Sequence, residues 1–460
     1  MKNLKKALVC TAAIGATVLA TATPVVSDVT MTQSDASRLV TITYRLTEDA
    51  VVTLDVMTNA TPNAATGWAS IGGEAICNAE GAVWRKVTSV DADGNGNYTI
   101  KWRPDLSWTD EFGKGFKIAD GCAKAVVTAW ALDNTPDYMV VDLTATGGAD
   151  TQRYYTSTNF LPGGLFGNPD YRTTSLVMRK IMAKDVTWTM GSTVLESKRN
   201  AQLEATHQVT FTNNYYIGVF PVTQAQWSMV GPYRPEPARF NNATDRSMRA
   251  VESVSYNEIR NSENKNAVAA YDWPANPNPD SFLGKLRSKT SIDFDLPSEA
   301  QWEFAARAGN GATKWGCGAG IQNEPEDENM NRFGRYERNG GKLPDYSIPA
   351  DSCEAANATA IVGSYIPNSW GLYDVAGNVW EWCLDWFEAD ITARNGAVNV
   401  DPTTPANTLS GASGEFHVLR GGSWATNASY CRPAYRLYGY PADTRNYEIG
   451  LRVVCTAGLR

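Results

Sequence analysis

Between residues 29 and 143 apolar and polar positions alternate with a period of two. Residues 40–46, 51–57, 98–102, 125–132 and 138–141 are β-branched or aromatic runs closed by turn residues, the pattern of half-buried strands. No helical periodicity intervenes, so residues 29–145 are expected to form an antiparallel β-sandwich of the immunoglobulin or fibronectin type, a spacer or binding module. Inside it, Asp91-Ala-Asp-Gly-Asn-Gly-Asn97 resembles the opening of a calcium loop, but Trp102 stands where the closing glutamate belongs. The run reads as a hairpin turn.

Periodicity fades over residues 146–175, which are rich in Thr, Gly, Asn and Tyr and read as a linker. The segment 176–460 carries few helical signals. Thr223-Gln-Ala-Gln226 and Ser298-Glu-Ala-Gln301 each match a capping box, in which a hydroxyl and a glutamine three residues on satisfy each other's backbone N–H groups. The second predicts a helix over 299–307, with Trp302, Ala305 and Ala306 buried and Gly309 as the stop. Pro274, Pro277 and Pro279 lie too close together for a helix or a central strand and predict an irregular insertion.

Composition is that of a globular chain, 43% hydrophobic and 20% charged over 460 residues, long enough for more than one core. Lys2, Lys5 and Lys6 precede an apolar stretch from 7 to 19 and a small-residue site at Ala20-Thr-Ala22. Residues 1–22 therefore read as an export leader, which implies a secreted or cell-envelope protein with no transmembrane helix in the mature chain. Losing those three lysines takes the net charge from −8 to −11, and so acidic a surface argues against a nucleic-acid partner. Of eight cysteines, Cys10 leaves with the leader and seven remain. An oxidising compartment favours disulfides, and the odd count leaves one thiol over. Proximity alone pairs Cys77 with Cys122 and Cys317 with Cys353.

Two stretches carry the chemistry: Asn368-Ser-Trp-Gly-Leu-Tyr-Asp-Val-Ala-Gly-Asn-Val-Trp-Glu-Trp-Cys-Leu-Asp-Trp386, and Arg420-Gly-Gly-Ser-Trp424 followed by Ser429-Tyr-Cys-Arg432. Asp374 and Glu381 flank a glycine turn, so that side-chain and main-chain oxygens can converge on one hard cation. With Thr189-Met-Gly-Ser192, Tyr216-Ile-Gly-Val-Phe-Pro-Val-Thr-Gln-Ala-Gln-Trp227, Val251-Glu-Ser-Val-Ser255 and Leu296-Pro-Ser-Glu-Ala-Gln-Trp-Glu-Phe-Ala-Ala-Arg307, the chain resembles the formylglycine-generating enzyme (sulfatase-modifying factor) family. The resemblance implies an irregular C-type-lectin-like domain. The whole chain is then α+β, a sandwich followed by that domain.

The resemblance also implies a structural Ca2+ ion held by the Asp374 and Glu381 carboxylates and the Gly377 and Val379 main-chain oxygens; the alternative is that these acids bind loop N–H groups without metal. By resemblance alone, Cys431, Ser423 and Trp380 occupy active-site positions. Aerobic members of the family grip Cu(I) between two cysteines, and here the first of those positions is Thr426, the second Cys431, and the usual following histidine Asn427. Threonine supplies no thiolate, so copper is not expected. Cys431 reads as a disulfide partner of Cys383 or Cys455, with a reactive thiol as the alternative. Trp370, Trp380, Trp382, Trp386 and Trp424 read as buried anchors of irregular loops, with an aromatic binding platform as the alternative. Two histidines, His207 and His417, are too few for a three-histidine iron site. The functional expectation is a diverged binding protein for a peptide, protein or glycan, its contacts in 425–448, a stretch rich in Asn, Tyr, Thr and Ser. The alternatives are an oxidase that makes formylglycine through Cys431, and a structural spacer.

Overall fold

A computed structural model of the chain describes residues 23–89, 96–108, 117–145, 151–196, 198–241, 244–261, 274–311, 313–322, 327–340, 358–394, 398–403 and 416–459. The export leader, most of the Asp91-to-Asn97 turn and Cys353 lie outside these residues. Val40–Leu46 pairs antiparallel with Val26–Gln33 on one side and Asn97–Trp102 on the other. Ala50–Thr58 pairs antiparallel with Ala123–Trp130. Alternation decides which side chains meet: Val40, Ile42, Tyr44, Ile100 and Trp102 of the first sheet share one core with Val52, Leu54, Val56 and Val127 of the second. The two-layer antiparallel sandwich anticipated from the period of two is present.

The last of the expected sandwich strands is placed differently. Tyr138–Asp142 lies between Gln152–Tyr155 and Ser175–Ile181 in a five-stranded sheet that continues through Tyr215–Gly218 to Val454–Thr456. Its first four residues are all buried, as a continuous apolar run requires when both faces of a strand are covered. Residues read as linker thus contribute a strand and short helices, Gly164–Gly167 and Pro169–Arg172 among them. The sandwich core runs on into Tyr138, Tyr155, Val219, Phe220 and Val379. Trp84 O accepts from Tyr154 N at 2.7 Å, and Glu74 Oε2 from Gly163 N at 2.9 Å.

Both expected capping boxes form, at Thr223 with Gln226 and at Ser298 with Gln301. The second helix spans Glu299–Arg307, with Trp302, Ala305 and Ala306 buried. Its chain reversal starts one residue before Gly309, because Ala308 already has a φ of 49°. Several described helices escaped the sequence reading, Tyr256–Ile259, Phe282–Thr290 and Glu328–Phe333 among them. Tyr256–Ile259 carries a third capping box, Ser255 with Glu258, and Phe282–Thr290 follows the proline cluster behind the cap of Ser281. Among the described residues no helix is long and apolar enough to cross a membrane.

A second sheet lies at the heart of the C-terminal unit. Trp380–Trp386 pairs antiparallel with Phe416–Arg420 and parallel with Ile449–Gly450. Around it five arginines and five glutamates form ion pairs, each side chain at most 6% exposed: Arg307 and Arg420 on Glu303, Arg436 on Glu299, Arg432 on Glu196 and Glu204, and Arg452 on Glu381. Glu303 also accepts from Gly191 N at 2.9 Å. Burial pushes the Glu303 carboxyl up, but Arg307 and Arg420 outweigh it and hold the group below the usual carboxylate range.

Removing one member of such a set leaves a buried charge uncompensated, at about 3–5 kcal/mol. Glu303→Gln is therefore expected to lower the unfolding free energy extracted from urea melts by that amount, whereas Asp35→Asn, at the exposed Lys117 pair, should leave it nearly unchanged. Because the folded pKa of Glu303 is depressed, its contribution is present above the unfolded carboxyl pKa and lost as pH falls through the lower folded value. A pH series of urea melts should show wild type and Glu303→Gln converging on the acid side.

Candidate functional site

The strand pairing brings the two signature stretches together. Glu381 stands opposite Arg420 and Trp382 opposite Leu419, while Trp380 is in register with Ile449. The chain leaves Arg420 through Gly421 and Gly422, at φ of 96° and 77°. A Cβ on Gly421 would stand 2.9 Å from the Trp302 ring, and one on Gly422 would collide with the Cys431 sulfur. The expected close backbone passage is real, and it seats Cys431 against the turn.

Ser423, Thr426 and Cys431 form a connected group. Ser423 N donates to Thr426 Oγ1 at 2.9 Å, and Thr426 Oγ1 lies 3.8 Å from Cys431 Sγ. Cys431 Sγ also faces Asn427 O at 3.7 Å. Burial pushes the Cys431 thiol up to about 12, against the opposing pull of the Thr426 hydroxyl, so at neutral pH it is a protonated, weakly nucleophilic group. Ser423 Oγ donates to Glu448 Oε2 at 2.5 Å. Trp380 N donates to Glu448 O at 2.7 Å, and the buried Trp380 ring packs 6.0 Å from Tyr435. The sequence-derived positions Ser423, Trp380 and Cys431 therefore cluster, and Glu448, which the sequence reading did not single out, links the first two.

None of the expected disulfides between described cysteines is formed, and the expected Cys317–Cys353 pair lies outside the described residues because it includes Cys353. Cys77, Cys122, Cys317, Cys383, Cys431 and Cys455 are all free. Instead of meeting another sulfur, Cys431 Sγ meets the Thr426 hydroxyl, and Cys383 Sγ faces Glu381 O at 4.0 Å. Four of the five tryptophans behave as anchors: Trp380, Trp382, Trp386 and Trp424 are buried, and the indole N–H of Trp382 donates to Val254 O at 3.0 Å. Trp370 is half-buried. His417 is buried, stacked at 3.5 Å on Tyr256, and burial drives its pKa down to about 3.

Of the four calcium positions, Asp374, Gly377 and Val379 lie in the loop that leads into the strand Trp380–Trp386, and Glu381 lies in that strand. Asp374 takes a φ of 55° and Gly377 one of 79°. Asp374 Oδ2 accepts from Gly363 N at 2.7 Å, while its buried Oδ1 has no partner. Burial pushes the Asp374 carboxyl up to about 6. Glu381 is more committed: Trp302 Nε1 donates to it at 2.6 Å, and Arg452 binds it through Nε and Nη2 at 2.9–3.1 Å. The orphaned Asp374 oxygen fits a cation ligand, whereas both Glu381 oxygens are already bonded to Arg452 or Trp302.

The family model described as sulfatase-modifying factor enzyme 1-like domain matches residues 172–457. The formylglycine-generating enzyme of Streptomyces coelicolor is 36% identical over 231 residues, covering 49% of this chain and 58% of that enzyme. That of Thermomonospora curvata is 32% identical over 227 residues, covering 48% and 61%. The chain thus spans about three fifths of the length of these curated relatives. Among solved structures, Treponema denticola variable protein 1 aligns with a TM-score of 0.42 at 27% identity, over 61% of this chain and 95% of that one. The ordered motifs and the extent of the family match make this chain a member of the sulfatase-modifying factor (formylglycine-generating enzyme) family.

Proposed function

We propose that this chain is an exported, diverged ligand-binding member of its family rather than a copper oxidase. The observation that carries the reading is the pairing of Thr426 Oγ1 with Cys431 Sγ at 3.8 Å. Two-coordinate Cu(I) needs a pair of soft thiolates, and this site offers one hard hydroxyl and one thiol that burial keeps protonated. The neighbouring surface suits binding: Thr426, Asn427, Ser429, Tyr435 and Tyr447 are half-buried and Tyr430, Tyr440, Asp443 and Arg445 exposed, a mix of aromatic area and adaptable hydrogen-bonding groups suited to a peptide, protein or glycan. The basic, then apolar, start of the chain supports export. Calcium is proposed as a structural ion of the Asp374 loop, where it would neutralise a carboxylate with a free buried oxygen.

Purified protein loaded with Cu(I) and desalted is expected to retain no stoichiometric copper and to leave the mass of a Cys-x-Pro-x-Arg peptide unchanged in air. Conversion of that cysteine to an aldehyde would establish the oxidase instead. Thr426→Cys places a second sulfur beside Cys431 and is expected to gain copper retention. For calcium, adding the ion after chelation should raise the melting temperature of wild type, and Asp374→Asn should lose most of that rise. An equal response in both proteins would remove Asp374 from the site.

A further inference from the structure

The carboxylates of the C-terminal unit differ in what neutralises them. Glu196, Glu204, Glu299, Glu303 and Glu381 each face an arginine. Glu448 is held by a neutral hydroxyl, Ser423 Oγ, at 2.5 Å, and among the described residues it forms no ion pair. A half-buried carboxylate with one neutral donor is poorly compensated for the water it has lost, and burial accordingly pushes its carboxyl above the usual range against the Ser423 bond.

The group is nevertheless fixed. Its own N–H donates to Asn446 Oδ1 at 2.9 Å, and its carbonyl accepts from Trp380 N at 2.7 Å. Next to it Tyr447 packs 6.0 Å from the buried Trp424. A rigidly placed ionisable group that lacks a counter-charge, set beside an accessible loop, is completed when a ligand arrives.

The surroundings decide which ligand. The basic side chains close to it in the chain are engaged elsewhere: Arg445 binds Glu258 at 3.0 Å and Arg452 binds Glu381 at 2.9 Å. Arg239, distant in sequence, lies 4.9 Å over the neighbouring Tyr447 ring. The Tyr435 ring likewise carries the Arg432 guanidinium, so a ligand cation is drawn by the Glu448 carboxylate itself. An anionic ligand group is repelled, and a neutral hydroxyl gains one ordinary hydrogen bond.

We propose that Glu448, positioned by Ser423, is the specificity-determining contact of this surface and receives a lysine or arginine side chain of a protein ligand. The inference rests on the reading of this face as a ligand-binding surface. Short random peptides displayed on phage, panned against the full chain, are expected to become enriched in Lys and Arg. A selected peptide should bind Glu448→Gln at least about tenfold more weakly and Glu448→Asp with an intermediate loss, with unchanged melting temperatures in both. Replacing its basic residue by citrulline or acetyl-lysine should reproduce the loss on wild type and add nothing on Glu448→Gln. Peptides selected without basic residues, or bound equally by Glu448→Gln, overturn the role of Glu448 while leaving the binding surface in place. Should Glu448→Gln unfold, the citrulline comparison on wild type decides alone. If wild type selects no peptide, the peptide ligand falls with the inference, and a positive glycan array would reassign the surface to sugars.

Discussion

The buried ion pairs are the constraint on which the C-terminal unit depends. Glu299 and Glu303 project from one helix onto Arg436 and Arg420, which lie on either side of the Gly-Gly-Ser turn and Cys431. Desolvating ten charged side chains is unfavourable unless each finds its partner at close range. The set therefore disfavours loop arrangements that misplace any one of them. In a unit with short helices and irregular connections, charge matching does part of the specifying that a larger regular core would do elsewhere.

The elements whose signals are local were legible in the sequence. Alternation gave the strands of the sandwich because each has one wet and one dry face, and the Ser298 box marked its helix because cap chemistry acts within a few residues. Tyr138–Asp142 was legible as a strand but not in its partnership, since pairing with Ser175–Ile181 is a long-range choice. The arginines were opaque for another reason. Arg420, Arg432, Arg436 and Arg452 look like solvent-facing residues by type, and only the fold reveals that they are inside. The clue was their position within apolar, glycine-rich and aromatic surroundings.

The candidate site was half legible. Motif order placed Ser423, Trp380 and Cys431 in one region, and the threonine at position 426 was visible in the chain itself. What could not be read was the hydrogen bonding that ties Ser423 to Glu448. Nor could sequence foresee that Cys431 would be sealed beneath Gly422, where oxidation-ready spacing to another cysteine counts for nothing.

The strand Trp380–Trp386 is flanked by Phe416–Arg420 and by Ile449–Gly450, so the chain between those neighbours departs from and returns to one fixed seam. Buried pegs at Cys431, Arg432 and Arg436 stake that excursion down from within. A long irregular excursion is thereby tethered to the sheet at points along its own length, and its course does not depend on its two ends alone.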